Sequence, residues 1–277
     1  MTLNVRLFLA LAVTSGAVAM HAQDHGHLNA GAESQLPGSK LIFANGANFA
    51  TNSGYIKTLT FTNATAYAGY FQGNTTLTVL PATAAYAGPD PQAPALGAYI
   101  FAQLVSLEGP SGGEFGFWDT GATSPTFTIK SGETGGTNLW RLTEADGSPD
   151  TDPYGHIHGR RWTLTKPGIY KLGLRVLDLS TNGPAGGPIH TPSDILYTYV
   201  QAGVNIVWIE PDIDHTHVRF TAPLGNNWQV ETSDSLTTDA IWTAVGDPVI
   251  GADAIREVAD ESPVVGNRFY RLKGIAP

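Results

Sequence analysis

The chain has 277 residues, with 15 Lys plus Arg against 24 Asp plus Glu and a formal charge of -9. That balance excludes a nucleic-acid partner, because phosphate binding needs clustered Lys and Arg and the longest basic run is Arg160-Arg161. The absence of cysteine excludes disulfides, thiolate metal sites and a cysteine nucleophile.

Arg6 precedes an apolar run from Leu7 to Val13, and Ala17-Val18-Ala19 offers a small-x-small cleavage site, with a second possible site after Ala22. Residues 1–22 therefore read as a secretory signal peptide, which places the protein outside the cytoplasm: secreted, periplasmic or on the cell surface. No later apolar run is long enough to span a bilayer, so no transmembrane segment is expected after its removal. Residues 23–39 are small and polar without periodicity and read as an N-terminal arm carrying His25 and His27.

Low charge (14%), 32 Gly and 18 Pro, with abundant Thr, Val, Tyr and Trp, predict an all-β chain rich in turns. Residues 40–203 carry strand patterns at 41–43, 55–61, 76–80, 98–107, 115–118 and 126–130. Gly132 to Asp152 reads as one long loop, and long loops are often functional. The clearest strand is Gly168 to Asp178, where Tyr170, Leu172, Leu174 and Val176 alternate with Lys171, Gly173 and Arg175. Lys166-Pro167-Gly168 reads as a tight turn pairing it with Arg161 to Thr165. A loop from Ser180 to Ser193 carries His190, and another strand runs from Ile195 to Gln201. After Gly203 short strands recur at even spacing, which predicts a second, smaller β-sandwich over residues 204–277. The fold class expected is thus an antiparallel β-sandwich followed by a smaller one.

Six of the eight histidines form His-x-His pairs: His25/His27, His156/His158 and His215/His217. In extended chain, residues i and i+2 share a face about 6–7 Å apart, so two imidazoles can hold one ion. Without cysteine the site must use N and O donors. The predicted metal ligands are His156 and His158, with His190 as third and His25 and His27 recruited from the arm; Asp24 or Asp152 are further donors. The competing reading of His156/His158 is a pair of surface histidines in a Gly-rich loop. Asp212-x-Asp214-His215-x-His217 forms either a weak, exposed metal site or, as the preferred reading, ordinary polar residues at a strand end. Trp118, Trp140 and Trp162, with Phe115 and Phe117, read as core rather than as a sugar-binding face. A cupredoxin needs Cys, and a cupin needs Glu soon after its His-x-His; this chain has neither.

The motifs Gly113-Glu114-Phe115-Gly116-Phe117-Trp118, Gly155-His156-Ile157-His158 and Trp162-Thr163-Leu164-Thr165-Lys166-Pro167-Gly168-Ile169-Tyr170 resemble the surface-anchored domain called choice-of-anchor M. Asp152-Pro153-Tyr154-Gly155-His156-Ile157-His158-Gly159-Arg160, Gly187-Pro188-Ile189-His190 and His25-Gly26-His27-Leu28-Asn29 are similar to cyanobacterial exported proteins with a PEP-CTERM tail, whose expression is tied to a zinc-responsive repressor. The likeness covers about residues 24–203. The sorting tail of that group is missing; Trp228 to Thr232, Trp242 and Arg268-Phe269-Tyr270-Arg271-Leu272 instead resemble a small C-terminal β-domain of exported Verrucomicrobia proteins. The resemblance implies zinc as the ion, whereas affinity order alone favours copper at a histidine site.

The expected function is binding of a divalent transition metal for extracytoplasmic sequestration or delivery, without catalysis. The implied partners are the metal ion and a cell-surface or metal-uptake component. A structural or adhesive surface protein without metal and a metal-dependent extracellular enzyme are the alternatives. Coordination by neutral imidazole predicts metal release as pH falls through about 6.5.

Overall fold

The computed structural model describes residues 27–84, 88–223, 227–252, 254–262 and 266–275. The expected signal peptide, Asp24 and His25 lie outside the described residues. The all-β expectation holds: eighteen strands are described, and no helix among those residues is long and apolar enough to cross a membrane.

In chain order the strands are β1 (Leu28–Ala32), β2 (Leu41–Phe43), β3 (Lys57–Thr62), β4 (Tyr70–Gly73), β5 (Leu77–Val79) and β6 (Ile100–Glu108). Next come β7 (Glu114–Trp118), β8 (Phe127–Lys130), β9 (Leu139–Arg141), β10 (Arg161–Leu164), β11 (Gly168–Asp178) and β12 (Leu196–Ala202). The last six are β13 (Ile206–Pro211), β14 (Thr216–Ala222), β15 (Asn227–Ser233), β16 (Thr243–Ile250), β17 (Ala254–Asp260) and β18 (Phe269–Ile275).

Nine strands form one large sheet in the order β8-β7-β10-β4-β3-β12-β11-β6-β9. The sheet curls until its two ends meet: Trp140 on β9 stacks on Phe117 of β7 at 4.9 Å and meets Trp162 of β10 edge-on. Trp118, Trp140 and Trp162 are buried with Phe115 and Phe117, so the aromatic set is core, as its composition predicts. The indole of Trp118 donates to Thr163 Oγ1, which satisfies its buried N–H. On β11, Tyr170, Leu172, Leu174 and Val176 all point inward, as the alternation requires.

Three expectations are corrected. The stretch read as an arm contains β1, the central strand of a three-stranded sheet in the order β2-β1-β5, with Leu28, Ala30 and Ala32 buried. Its small residues suit close approach: a Cβ on Gly31 would press on the Gln92 carbonyl. Second, β10 and β11 do not pair. β10 lies between β7 and β4, and β11 between β12 and β6. Lys166-Pro167-Gly168 arches between two parts of the curled sheet, where Tyr170 Oη donates to the Lys166 carbonyl. Third, the long loop from Gly132 to Asp152 is interrupted by β9, whose Trp140 enters the core.

The remaining six strands make two three-stranded sheets, β13-β14-β17 and β16-β15-β18. Their buried apolar residues, Val218, Phe220, Ala222, Val230 and Val245, form a cluster separate from the larger core.

Candidate metal centre

The sheet β2-β1-β5 carries one half of the site and positions the other. β1 runs parallel to β5, with Leu28 beside Leu77 and Ala30 beside Val79. Val79 also bridges to Gly155: the Val79 N–H donates to the Gly155 carbonyl at 2.9 Å. His27 precedes β1 and His156 follows Gly155, so both leave the same small sheet as neighbours. Their rings meet edge-on at 4.6 Å between centroids. Gly155 is obligatory at this crossing, because any Cβ would overlap the Leu142 carbonyl.

His27 is held at its backbone. Asn45 Nδ2 donates to the His27 carbonyl at 2.7 Å, and Asn45 Oδ1 accepts from the Asn29 N–H at 2.8 Å. The Leu28 N–H donates to the Thr76 carbonyl. Across the site, the His156 N–H donates to Glu144 Oε1 at 3.0 Å. The His158 carbonyl accepts from Thr120 Oγ1 at 2.8 Å.

The rings of His156 and His158 lie 4.5 Å apart between centroids. His156 thus stands between two other imidazoles. Its Nε2 is buried and has no hydrogen-bond partner among the described residues. A buried nitrogen without a partner is costly and calls for an explanation. Burial first, then the neighbouring His27 and His158, hold the His156 ring below the ordinary imidazole value, against the pull of Glu144. At neutral pH this ring is therefore uncharged, the form that coordinates a metal.

His190 belongs elsewhere. It is 3% exposed. Its Nε2 accepts from the Ala95 N–H at 2.9 Å, which puts the ring proton on Nδ1, 3.2 Å from the Ser39 carbonyl. Its own N–H donates to Asp178 Oδ2. Both ring nitrogens serve the fold, and the partners of His190 are shared with neither His156 nor His158. The ring expected to supply a third ligand thus has both nitrogens engaged within the fold in this structure. Asp152 is likewise committed. It accepts from the N–H groups of Ala82, Thr83 and Tyr154 and from Thr83 Oγ1. Burial alone would push its carboxyl up, but those donors hold it below the ordinary 3.8.

The third histidine pair sits on the β13–β14 hairpin. Ligand atoms of Asp212, His215 and His217 all lie within 4.8 Å of one another, the one such group of three among the described residues. The sequence carried this signal in the Asp-x-Asp-His-x-His spacing, but nothing in the spacing showed that the turn closes the carboxylate onto the rings.

No protein-family model matches the chain, and no curated protein sequence matches it.

Proposed function

We propose that this chain is an exported protein that binds a divalent transition metal through His156, His158 and His27, and that it sequesters or delivers the ion outside the cytoplasm. The observation that carries the reading is His156 Nε2, buried with no hydrogen-bond partner among the described residues and flanked by two imidazoles. The donor set is nitrogen with carboxylate near at hand in Glu144, which suits zinc, copper or nickel better than magnesium or calcium. Zinc is preferred on the resemblance to zinc-repressor-linked exported proteins. His25, two residues before His27 in sequence, is the natural additional ligand. The signal-like N-terminus supports a role outside the cytoplasm.

Elemental analysis of protein purified without a tag, beside His156→Ala plus His158→Ala, tests the reading. The double variant should carry one equivalent of metal less than the parent. Equal metal content in the two proteins would refute the site. A parent with no affinity for zinc, copper or nickel would favour a purely structural surface protein.

A further inference from the structure

We infer that the hairpin joining β13 to β14 carries a second metal site, independent of the first, with Asp212, His215 and His217 as ligands and Glu257 as the residue that positions His217. The inference does not rest on the His27/His156/His158 reading.

The turn geometry builds the site. Pro211 pairs with Thr216, so Asp212 to His215 is the four-residue loop of a β-hairpin. The Asp212 N–H donates to the His215 carbonyl at 2.7 Å, which closes the loop and sets the carboxylate against the ring. Asp212 Oδ1 accepts from the Ile213 N–H, while Oδ2 stands 3.8 Å from His215 Nε2. His217 lies two residues further on, where i and i+2 share a face, and its Nε2 is 2.9 Å from His215 Nε2.

The tautomer of His217 follows from its other nitrogen. Nδ1 lies 2.8 Å from Glu257 Oε1 on the neighbouring β17, and a carboxylate can only accept. Nδ1 therefore carries the proton, and Nε2 presents its lone pair toward His215. Arg219 binds the other oxygen of Glu257 and keeps the carboxylate in place across the strand pair. A carboxylate behind a ligating imidazole is the arrangement that fixes ring orientation and raises ligand basicity in metal sites.

Without metal, two Nε2 atoms at 2.9 Å must share one proton, and a metal ion replaces that proton. Two nitrogens on a tetrahedral zinc stand about 3.3 Å apart at a Zn–N length of ~2.05 Å. A small rotation of either half-buried ring supplies the difference. Three protein ligands leave a fourth position for water or for a donor from another molecule. The site would take a borderline divalent ion such as zinc, copper or nickel. Asp212 is exposed and the two rings are half-buried, so the ion would exchange with solvent.

The test uses the full chain with His156→Ala and His158→Ala in place, stripped of metal and titrated with Co2+ or Zn2+ against a competing chelator. One equivalent should bind, with the visible absorption of tetrahedral Co2+. Adding His215→Ala and His217→Ala should abolish that equivalent. Glu257→Gln should weaken it 10–100-fold, the range for lost outer partners, with no change in the thermal midpoint of the metal-free protein. Asp212→Asn, in an exposed turn, gives a variant that spares the sheet and should weaken binding at least 10-fold. No binding in this background, or binding that survives loss of both histidines, would overturn the site. Loss of an ion from the parent through His156 and His158 alone reports on the other site, so the two can fail separately.

Discussion

His190 and His156 put the same ring to opposite uses. His190 has both nitrogens engaged by Ala95 and Ser39, whereas His156 has a buried nitrogen with no partner among the described residues. His190→Ala should therefore cost about 2–3 kcal/mol in urea unfolding, because it leaves the Ala95 N–H without its acceptor and opens a gap. It should leave metal stoichiometry unchanged, which a titration of the refolded variant would show. Burial holds the His190 ring below its ordinary value of 6.5, against the opposing pull of Ser39 and Asp178. Below 6.5 the unfolded chain then binds more protons than the folded one. The contribution of His190 is complete above that pH and is lost as pH falls toward the depressed folded value. The stability difference between parent and His190→Gln should shrink between neutral pH and pH 5. A difference that grows on acidification would contradict the neutral, buried ring.

The small sheet β2-β1-β5 brings His27 to His156, and Asn45 locks its end. Asn45→Ala removes two hydrogen bonds next to His27, one to its own carbonyl. It should destabilise the protein by about 1–3 kcal/mol and weaken metal binding, both readable in one calorimetric titration series. Unchanged affinity would detach His27 from the site. How much of this was legible depends on what each segment shows locally. β11 announces itself by strict alternation, and its inward residues are the ones expected. β1 does not: Leu28-Asn29-Ala30-Gly31-Ala32 is too short and too small to show a period, and its role comes from β2 and β5 on either side. β10 and β11 were expected to pair because a Pro-Gly turn looks alike whether it folds a hairpin or arches between layers. The His-x-His pairs were visible as spacing. That His27 belongs with His156 depends on a parallel pairing and on the Val79–Gly155 bridge, contacts remote in sequence. The engagement of the His190 ring by Ser39 and Ala95 is equally remote in sequence.

The described residues form two separate apolar clusters, and each candidate site hangs on strands that enclose one of them. The larger cluster holds Trp140 and Trp162, and Trp118 of the same sheet is buried beside Tyr67 and Tyr70, while Trp208 on β13 is 55% exposed. Unfolding should therefore proceed in two steps, with the blue, buried tryptophan emission lost in the step that melts the larger core. A ligand that binds only the folded state stabilises it by RT ln(1 + [L]/Kd), or about 2.7 kcal/mol at 100-fold excess over Kd. If each ion binds within one folding unit, metal should raise both transitions, and each pair of substitutions should cancel one shift only. His156→Ala plus His158→Ala should abolish the shift in the buried-tryptophan step. His215→Ala plus His217→Ala should abolish the shift in the other. Calorimetry with fluorescence on the same samples separates the two steps. A single transition that responds equally to both pairs would mean that the two clusters unfold as one unit and that the sites are coupled through it.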